Sequence, residues 1–206
     1  MRIFISRYFI YVVAFLYVVF SFVPTWYEVS QAKYIRPNRY FELVHNFYTD
    51  YNFYLSRIRQ GIEGRTTVKE VYTSEPHRGS FVQVFYLALG WVGRFTRTPW
   101  HVSGGVYHVA RIVFGTTLLF LIAYYAKQTF KQLPFQILGF LFAVTAASWA
   151  RIILHAGEWR YAQYMSWWTV MDTLQRITHI PHLLAGQSLI VFLVFTLTNT
   201  HVLLKR

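Results

Sequence analysis

The chain alternates long apolar runs with polar stretches, and this pattern predicts a polytopic α-helical membrane protein. A helix needs about 20 apolar residues to cross a bilayer. Four apolar runs are long enough to do so. A fifth, shorter run at residues 81–93 predicts a re-entrant or interfacial helix. The fold class predicted is therefore all-α, with one membrane domain over residues 1–206. The four predicted spans are residues 3–23, 106–125, 134–150 and 183–204.

The polar stretches between the predicted spans give a topology. They cover residues 26–105 and 151–182, and with four spans both lie on the same side of the membrane. Lys and Arg occur on both sides, so the charge bias decides the orientation only weakly. We place both termini in the cytoplasm and both polar loops at the outer face of a cell or inner membrane.

The composition supports the assignment to membrane proteins and limits which binding partners are plausible. Hydrophobic residues make up 55% of the chain, aromatic residues 20% and charged residues 14%, which excludes an ordinary soluble domain. The net charge of +12 would suit nucleic acid, but no soluble basic domain is present to bind it. Membrane lipid headgroups and a phosphate-bearing lipid are the better partners. The absence of cysteine excludes disulfides and thiolate chemistry.

Residues 50–64 predict an amphipathic helix that begins at an acid and ends at glycine. Asp50, Tyr54 and Arg57 follow the i, i+4, i+7 spacing and therefore share a face. A carboxylate just outside the bilayer suits proton abstraction from an acceptor, with Tyr54 and Arg57 binding the substrate. The alternative is an exposed helix N-terminus, where the helix dipole favours an acid. The apolar face of the helix consists of Tyr51, Leu55, Ile58 and Ile62.

Two further pairs of polar residues are candidates for substrate binding. Glu75 and His77 flank Pro76, which fixes the turn and aims both side chains; a simple surface turn is the alternative. His108 and Arg111 lie one turn apart near the outer end of the second span. An arginine there suits a lipid phosphate, although an arginine at a span end also snorkels to the interface.

The second polar loop carries another candidate group. Asp172, Arg176 and His179 have i, i+4, i+7 spacing if the segment is helical, and His182 stands at the mouth of the fourth span. Such a group suits a diphosphate or an acceptor hydroxyl. The alternative is an exposed Asp172–Arg176 ion pair, which would contribute little.

Metal binding has a weaker basis in the sequence. His155 and Glu158, and likewise His179 and His182, have the three-residue separation that helical ligand pairs use. No HExxH pattern is present, and Pro181 interrupts the second pair. No metal ligands are therefore assigned, and a divalent cation stays open as the only cofactor.

Four short elements follow one another along the chain. They are an early acid in the first loop (residues 47–51), a glycine-rich helix end (61–64), Leu89-Gly90 in the short helix, and Tyr107 to Arg111 at the next span. In this order they resemble the N-terminal half of a GT-C type membrane glycosyltransferase. That group contains the dolichyl- or polyprenyl-phosphate-mannose protein mannosyltransferases and related bacterial enzymes. The resemblance covers about residues 1–200.

The resemblance implies transfer of a sugar from a lipid-phosphate-linked donor to an unidentified acceptor at the outer face. Asp50 matches the family acid that acts as general base or orients the acceptor, and Arg111 with Arg176 would hold the donor's phosphate. Family members are longer and have more spans, so we expect this chain to be such a glycosyltransferase or the N-terminal module of one. The alternative is a non-catalytic polytopic protein, such as a transport or assembly subunit. Polar residues inside several spans would favour transport. The charged residues of this chain instead gather at the outer interface, which favours a surface site.

Overall fold

The computed structural model describes residues 2–44, 48–145, 151–162 and 180–203, and it is mostly helical. Short 3₁₀ turns at Ala32–Tyr34 and Trp100–Val102 join some of the elements. The α-helices and strands are α1 (Arg2–Ser21), α2 (Val23–Gln31), α3 (Tyr48–Ile62), α4 (Val84–Phe95), α5 (Ser103–Thr129), α6 (Leu133–Thr145), β1 (Arg151–His155), β2 (Glu158–Ala162) and α7 (Pro181–Leu203).

Three helical stretches among the described residues are long and apolar enough to cross a membrane: Tyr8–Tyr34, Ser103–Thr129 and Pro181–Thr198. They coincide with the first, second and fourth predicted spans. The predicted third span runs through α6, which has 13 residues, into residues 146–150 outside the described part. A four-span count therefore stays a prediction.

The short helix predicted from the fifth apolar run is present as α4. It has 12 residues, which at a rise of 1.5 Å per residue gives about 18 Å. This is well below the hydrocarbon thickness of about 30 Å, so α4 alone does not cross a bilayer. Whether it is re-entrant or interfacial stays a prediction.

The chain forms two compact units, and each has its own packing. The first comprises Met1–Thr25, Phe114–His179 and Leu183–Arg206. Within it α1 packs against α6, with the ring of Tyr17 edge-on to that of Phe140 at 6.1 Å. Small residues in its core allow helices to approach closely. The buried core consists of Ile10, Ala14, Val18, Phe22, Leu119, Ala123, Ala126, Phe140 and Val144.

The second unit comprises Trp26–Val113 and Ile180–His182, and α3 packing on α4 forms its centre. The predicted glycine end of the Asp50 helix is confirmed. Gly64 adopts a left-handed φ of +88°, and its N–H donates to the carbonyl of Gly61 at 2.9 Å. The next N–H, of Arg65, donates to the carbonyl of Gln60 at 3.0 Å. Together these bonds form a Schellman motif, which satisfies the last carbonyls of α3.

Hydrogen bonds close the loop between α3 and α4 and attach it to α3. Val68 and Ser80 exchange two backbone hydrogen bonds, of 2.8 and 2.9 Å, which close the loop. The side-chain amide of Gln60 accepts from the N–H of Lys69 at 2.8 Å and donates to its carbonyl at 2.9 Å. The loop therefore has a defined position on α3.

A β-hairpin is the one departure from the all-α prediction among the described residues. Strands β1 and β2 pair antiparallel through a two-residue turn at Ala156 and Gly157, with φ of 53° and 82°. Two positive φ values are typical of a type I′ turn, whose twist matches that of paired strands. The mostly helical class is thus confirmed, and the hairpin was not predicted from the sequence.

Candidate functional site

Four buried tyrosines form the centre of the second unit, and we call them the tyrosine cluster: Tyr51, Tyr54, Tyr86 and Tyr107. They come from three helices, α3, α4 and α5. The rings of Tyr54 and Tyr86 stack at 4.4 Å, and the ring of Tyr107 lies edge-on to that of Tyr51 at 5.1 Å. Such contacts add to the burial energy and fix the relative positions of the helices.

His108 and Arg111 lie beside this cluster and bond to each other. The guanidinium of Arg111 donates to Nδ1 of His108 at 2.8 Å, because arginine has no acceptor. The hydrogen of His108 is therefore on Nε2, which donates to the carbonyl of Leu43 at 2.8 Å and lies 3.2 Å from the hydroxyl of Tyr51. Arg111 is only 1% exposed, so its guanidinium lies inside the protein.

His182 joins the cluster from the first turn of α7. Its Nδ1 lies 2.8 Å from the hydroxyl of Tyr86, and its ring is edge-on to that of Tyr54 at 5.7 Å. Two predicted site residues, Tyr54 and His182, are thus brought together. The other residues predicted for the second loop, Asp172, Arg176 and His179, lie outside the described residues.

Arg57 lies on α3 but is directed into the loop that follows. Its side chain is 2% exposed, forms a salt bridge with Glu70 and donates to the carbonyl of Phe53 at 3.2 Å. The guanidinium also covers the ring of Phe53, with 3.2 Å from its carbon to the ring centroid. In this arrangement Arg57 positions the loop, and substrate binding by Arg57 stays a prediction.

The pKa of Glu70 reflects this pairing. Burial raises it, but the hydrogen bond from Arg57 and backbone N–H groups, including that of Tyr72 at 3.2 Å, outweigh burial and hold the pKa below its ordinary value. Glu70 therefore favours the charged form, in which it accepts both bonds.

His77 and Glu75 are part of the same loop. Nε2 of His77 accepts from the N–H of Glu70 at 2.8 Å, and its Nδ1–H donates to the carbonyl of Glu75 at 2.9 Å. Both residues are exposed. The structure thus shows them ordering the loop, and substrate binding by either residue stays a prediction.

Asp50 lines a cavity of about 520 Å³ at the N-terminal end of α3. The rings of Phe53 and Tyr72 stack at 6.3 Å on its wall. Burial raises the pKa of Tyr54, and the nearby carboxylate of Asp50 raises it further, so this hydroxyl keeps its proton at neutral pH. The cavity therefore holds a proton acceptor next to a proton donor. Its lining residues are Tyr48, Thr49, Asp50, Asn52, Phe53, Tyr54, Tyr72 and Gln83.

Gln83 is a cavity residue that was not predicted from the sequence. Its backbone is left-handed, with φ of 58°, which is uncommon for a residue other than glycine. Its side-chain oxygen is buried and has no hydrogen-bond partner among the described residues. This buried acceptor is therefore free to bind a donor from outside the described residues. The available signal was a glutamine inside the apolar run at 81–93.

Comparisons with protein-family models, with curated proteins and with solved structures gave no match. Assignment of function therefore depends on the geometry of the chain itself. Within the described ranges no group of three or more His, Asp or Glu side chains is placed to hold a metal ion. His155 and Glu158 are register partners in the hairpin, and His179 lies outside those ranges.

Proposed function

We propose that this chain is an integral membrane glycosyltransferase of GT-C type, or the N-terminal module of one, which uses a lipid-phosphate-linked sugar as donor. The cavity of Asp50 is the observation that carries the proposal. There the carboxylate lies beside the stacked rings of Phe53 and Tyr72 and the amide of Gln83. A sugar offers C–H faces to aromatic rings and hydroxyls to amides and carboxylates, so these groups suit it.

In the proposed reaction Asp50 is the general base. It takes the proton from the acceptor hydroxyl while that oxygen bonds to the anomeric carbon of the donor. The bond from the anomeric carbon to the phosphate oxygen breaks, and the lipid phosphate leaves with the electron pair. The protonated hydroxyl of Tyr54 is available as a donor to an oxygen in the same cavity.

Binding of the donor's phosphate is proposed for Arg111. Guanidinium groups bind phosphate through paired hydrogen bonds and stabilise the charge that grows on it. Because Arg111 is 1% exposed, this role would require the tyrosine cluster to open. The role of Asp50 requires no such change, since its side chain is exposed at the cavity.

The test is Asp50→Asn, which keeps the shape of the side chain and removes the basic oxygen. Membranes that contain the protein would be given polyprenyl-phosphate mannose labelled in the sugar, and release of label from the lipid fraction would be measured. Loss of a general base costs about 10²- to 10⁴-fold in rate, so release should fall by that factor. Expression and membrane insertion should be unchanged.

Glu63→Gln is the matched control, because Glu63 is an exposed acid on the same stretch of chain that does not line this cavity. Its rate of release should equal that of the unmodified protein. Equal rates for Asp50→Asn and the unmodified protein would refute the catalytic role of Asp50. No release by a well-folded unmodified protein would favour the non-catalytic alternative.

A further inference from the structure

A tight turn brings two arginines together shortly after the first apolar stretch. The N–H of Arg39 donates to the carbonyl of Arg36 at 2.9 Å, with Pro37 and Asn38 at the centre of the turn. Proline and asparagine are favoured at such central positions. The turn places the Cα atoms of the two arginines within about 7 Å of each other. Both side chains are exposed.

These arginines line a cavity of about 500 Å³ together with Tyr34, Ile35 and Tyr40. Tyr34 is 71% and Tyr40 86% exposed, so the aromatic rings are open to the surroundings. The ammonium of Lys33 lies 4.9 Å from the centre of the Tyr34 ring. We call residues 33–40 the basic turn; it combines three cations with two exposed aromatic rings.

The basic turn itself contains no acidic residue. Glu28 and Glu42 are the acidic residues on either side of it in the sequence. The ion pairs found in the described part of the chain are Arg57–Glu70, Arg59–Glu63 and Arg65–Glu63, none of which includes a cation of the turn. An anion from outside the chain would therefore meet three cations that form no ion pair within the described residues.

The position of the turn indicates which anion it meets. It begins within the last residues of Tyr8–Tyr34, a stretch long and apolar enough to cross a membrane. Exposed Trp26 and Tyr27 near the end of that stretch are typical of residues at a membrane interface. Basic residues directly beside a span lie at the level of the lipid phosphates and attract anionic headgroups.

We propose that the basic turn is a binding site for the phosphate of an anionic phospholipid headgroup. Arg36 and Arg39 bind the phosphate oxygens through their planar guanidinium groups, which suit phosphate better than an ammonium does. Tyr34 and Tyr40 flank the headgroup at the interface. The site is separate from the cavity of Asp50 and does not rest on the proposed function.

The test uses the full chain, purified in a neutral detergent, with phosphatidylglycerol and phosphatidylcholine as probes. Native mass spectrometry would measure the fraction of protein that carries each lipid. The unmodified protein should prefer phosphatidylglycerol, and Arg36→Gln with Arg39→Gln should weaken its binding about 5-fold for each change. Neither substitution removes a backbone group of the turn, so the double variant should keep its fold.

Arg78→Gln with Arg97→Gln is the matched control, since it removes the same charge from two exposed positions in the same unit. This control should keep its preference for phosphatidylglycerol. Equal losses in the two double variants would overturn the proposal, because binding would then depend on net charge alone. Inorganic phosphate in large excess should leave most lipid bound; complete displacement by phosphate would show a free-anion site and would also overturn it.

Discussion

Gly61 and Gly90 face each other where α3 crosses α4. A Cβ atom on Gly61 would lie 2.7 Å from the Cα of Gly90, and one on Gly90 would lie 2.6 Å from the Cα of Gly61. Real Cβ atoms do not come so close to backbone, so the two helices can cross at this distance only because both residues lack side chains. The tyrosine cluster contains residues from both helices, and the cavity of Asp50 is lined by α3 and by Gln83, which directly precedes α4.

Gly90→Ala should therefore destabilise the protein. The added methyl must push α3 away, and overpacking of this kind costs about 1–3 kcal/mol. Thermal unfolding in detergent, followed by tryptophan fluorescence, should show a lower midpoint. Gly186→Ala is the control, because a Cβ there would meet no described atom within 4 Å. An unchanged midpoint for Gly90→Ala would contradict the close crossing.

The contact between Tyr86 and His182 gives a second prediction. Tyr86→Phe keeps the stacked ring but removes the hydroxyl that lies 2.8 Å from Nδ1 of His182. The loss should cost about 1 kcal/mol of unfolding free energy. A double-mutant cycle with His182→Ala would measure the coupling, and the two changes should not be additive. Additive effects would show that this hydrogen bond contributes nothing.

The ion pair of Arg57 with Glu70 predicts how stability depends on pH. The folded-state pKa of Glu70 lies below its ordinary value of 4.5, so its contribution is full above that pH. The contribution is lost as the pH falls through the lower folded-state pKa. Glu70→Gln should therefore reduce stability at neutral pH and remove this part of the acid dependence.

Unfolding of the Glu70→Gln variant and the unmodified protein would be compared between neutral pH and about pH 3. The difference between them should be largest at neutral pH and should shrink in acid. Glu63→Gln is the control, because the Arg59–Glu63 pair is exposed and such pairs contribute little. A difference that grows as the pH falls would contradict the predicted sign.

The proposed topology can be tested because the chain has no cysteine. A single cysteine at Ser74, in the exposed loop before α4, should react in intact cells with a maleimide that does not cross membranes. A single cysteine at Lys131, between α5 and α6, should react only after the membrane is opened. Labelling of both positions in intact cells, or of Lys131→Cys alone, would contradict an outer location of the first polar loop.

Hydrophobic pattern alone located most helices of this chain. Helices α1, α3, α4, α5 and α7 all fall where apolar periodicity or long apolar runs predicted them. Periodicity reports which residues avoid water, and that is a property of local sequence. The hairpin was missed because Ala156-Gly157 is a weak turn signal compared with Asn-Gly or Asp-Gly.

The candidate site was harder to predict from the sequence than the helices were. Their spacing predicted that Asp50, Tyr54 and Arg57 share one face of α3. In the structure Asp50 is exposed, whereas Tyr54 and Arg57 are buried. The partner of Arg57 is Glu70, 13 residues away, and it is brought there by the closed loop. Contacts of that kind depend on how loops fold back, which helical spacing does not encode. Gln83 was missed for the same reason.

The double hydrogen bond from Gln60 to Lys69 has a consequence for proteolysis. A protease binds its substrate as an extended strand, through the same backbone N–H and carbonyl groups that Gln60 occupies at Lys69. Trypsin can therefore cut after Lys69 only once the loop has left α3. That step also breaks the hydrogen bonds that Glu70 accepts from Arg57 and from the N–H of Tyr72. The side chain of Lys69 is exposed. The rate of cleavage after it would therefore measure how often the loop that carries Tyr72, a wall residue of the Asp50 cavity, detaches from α3.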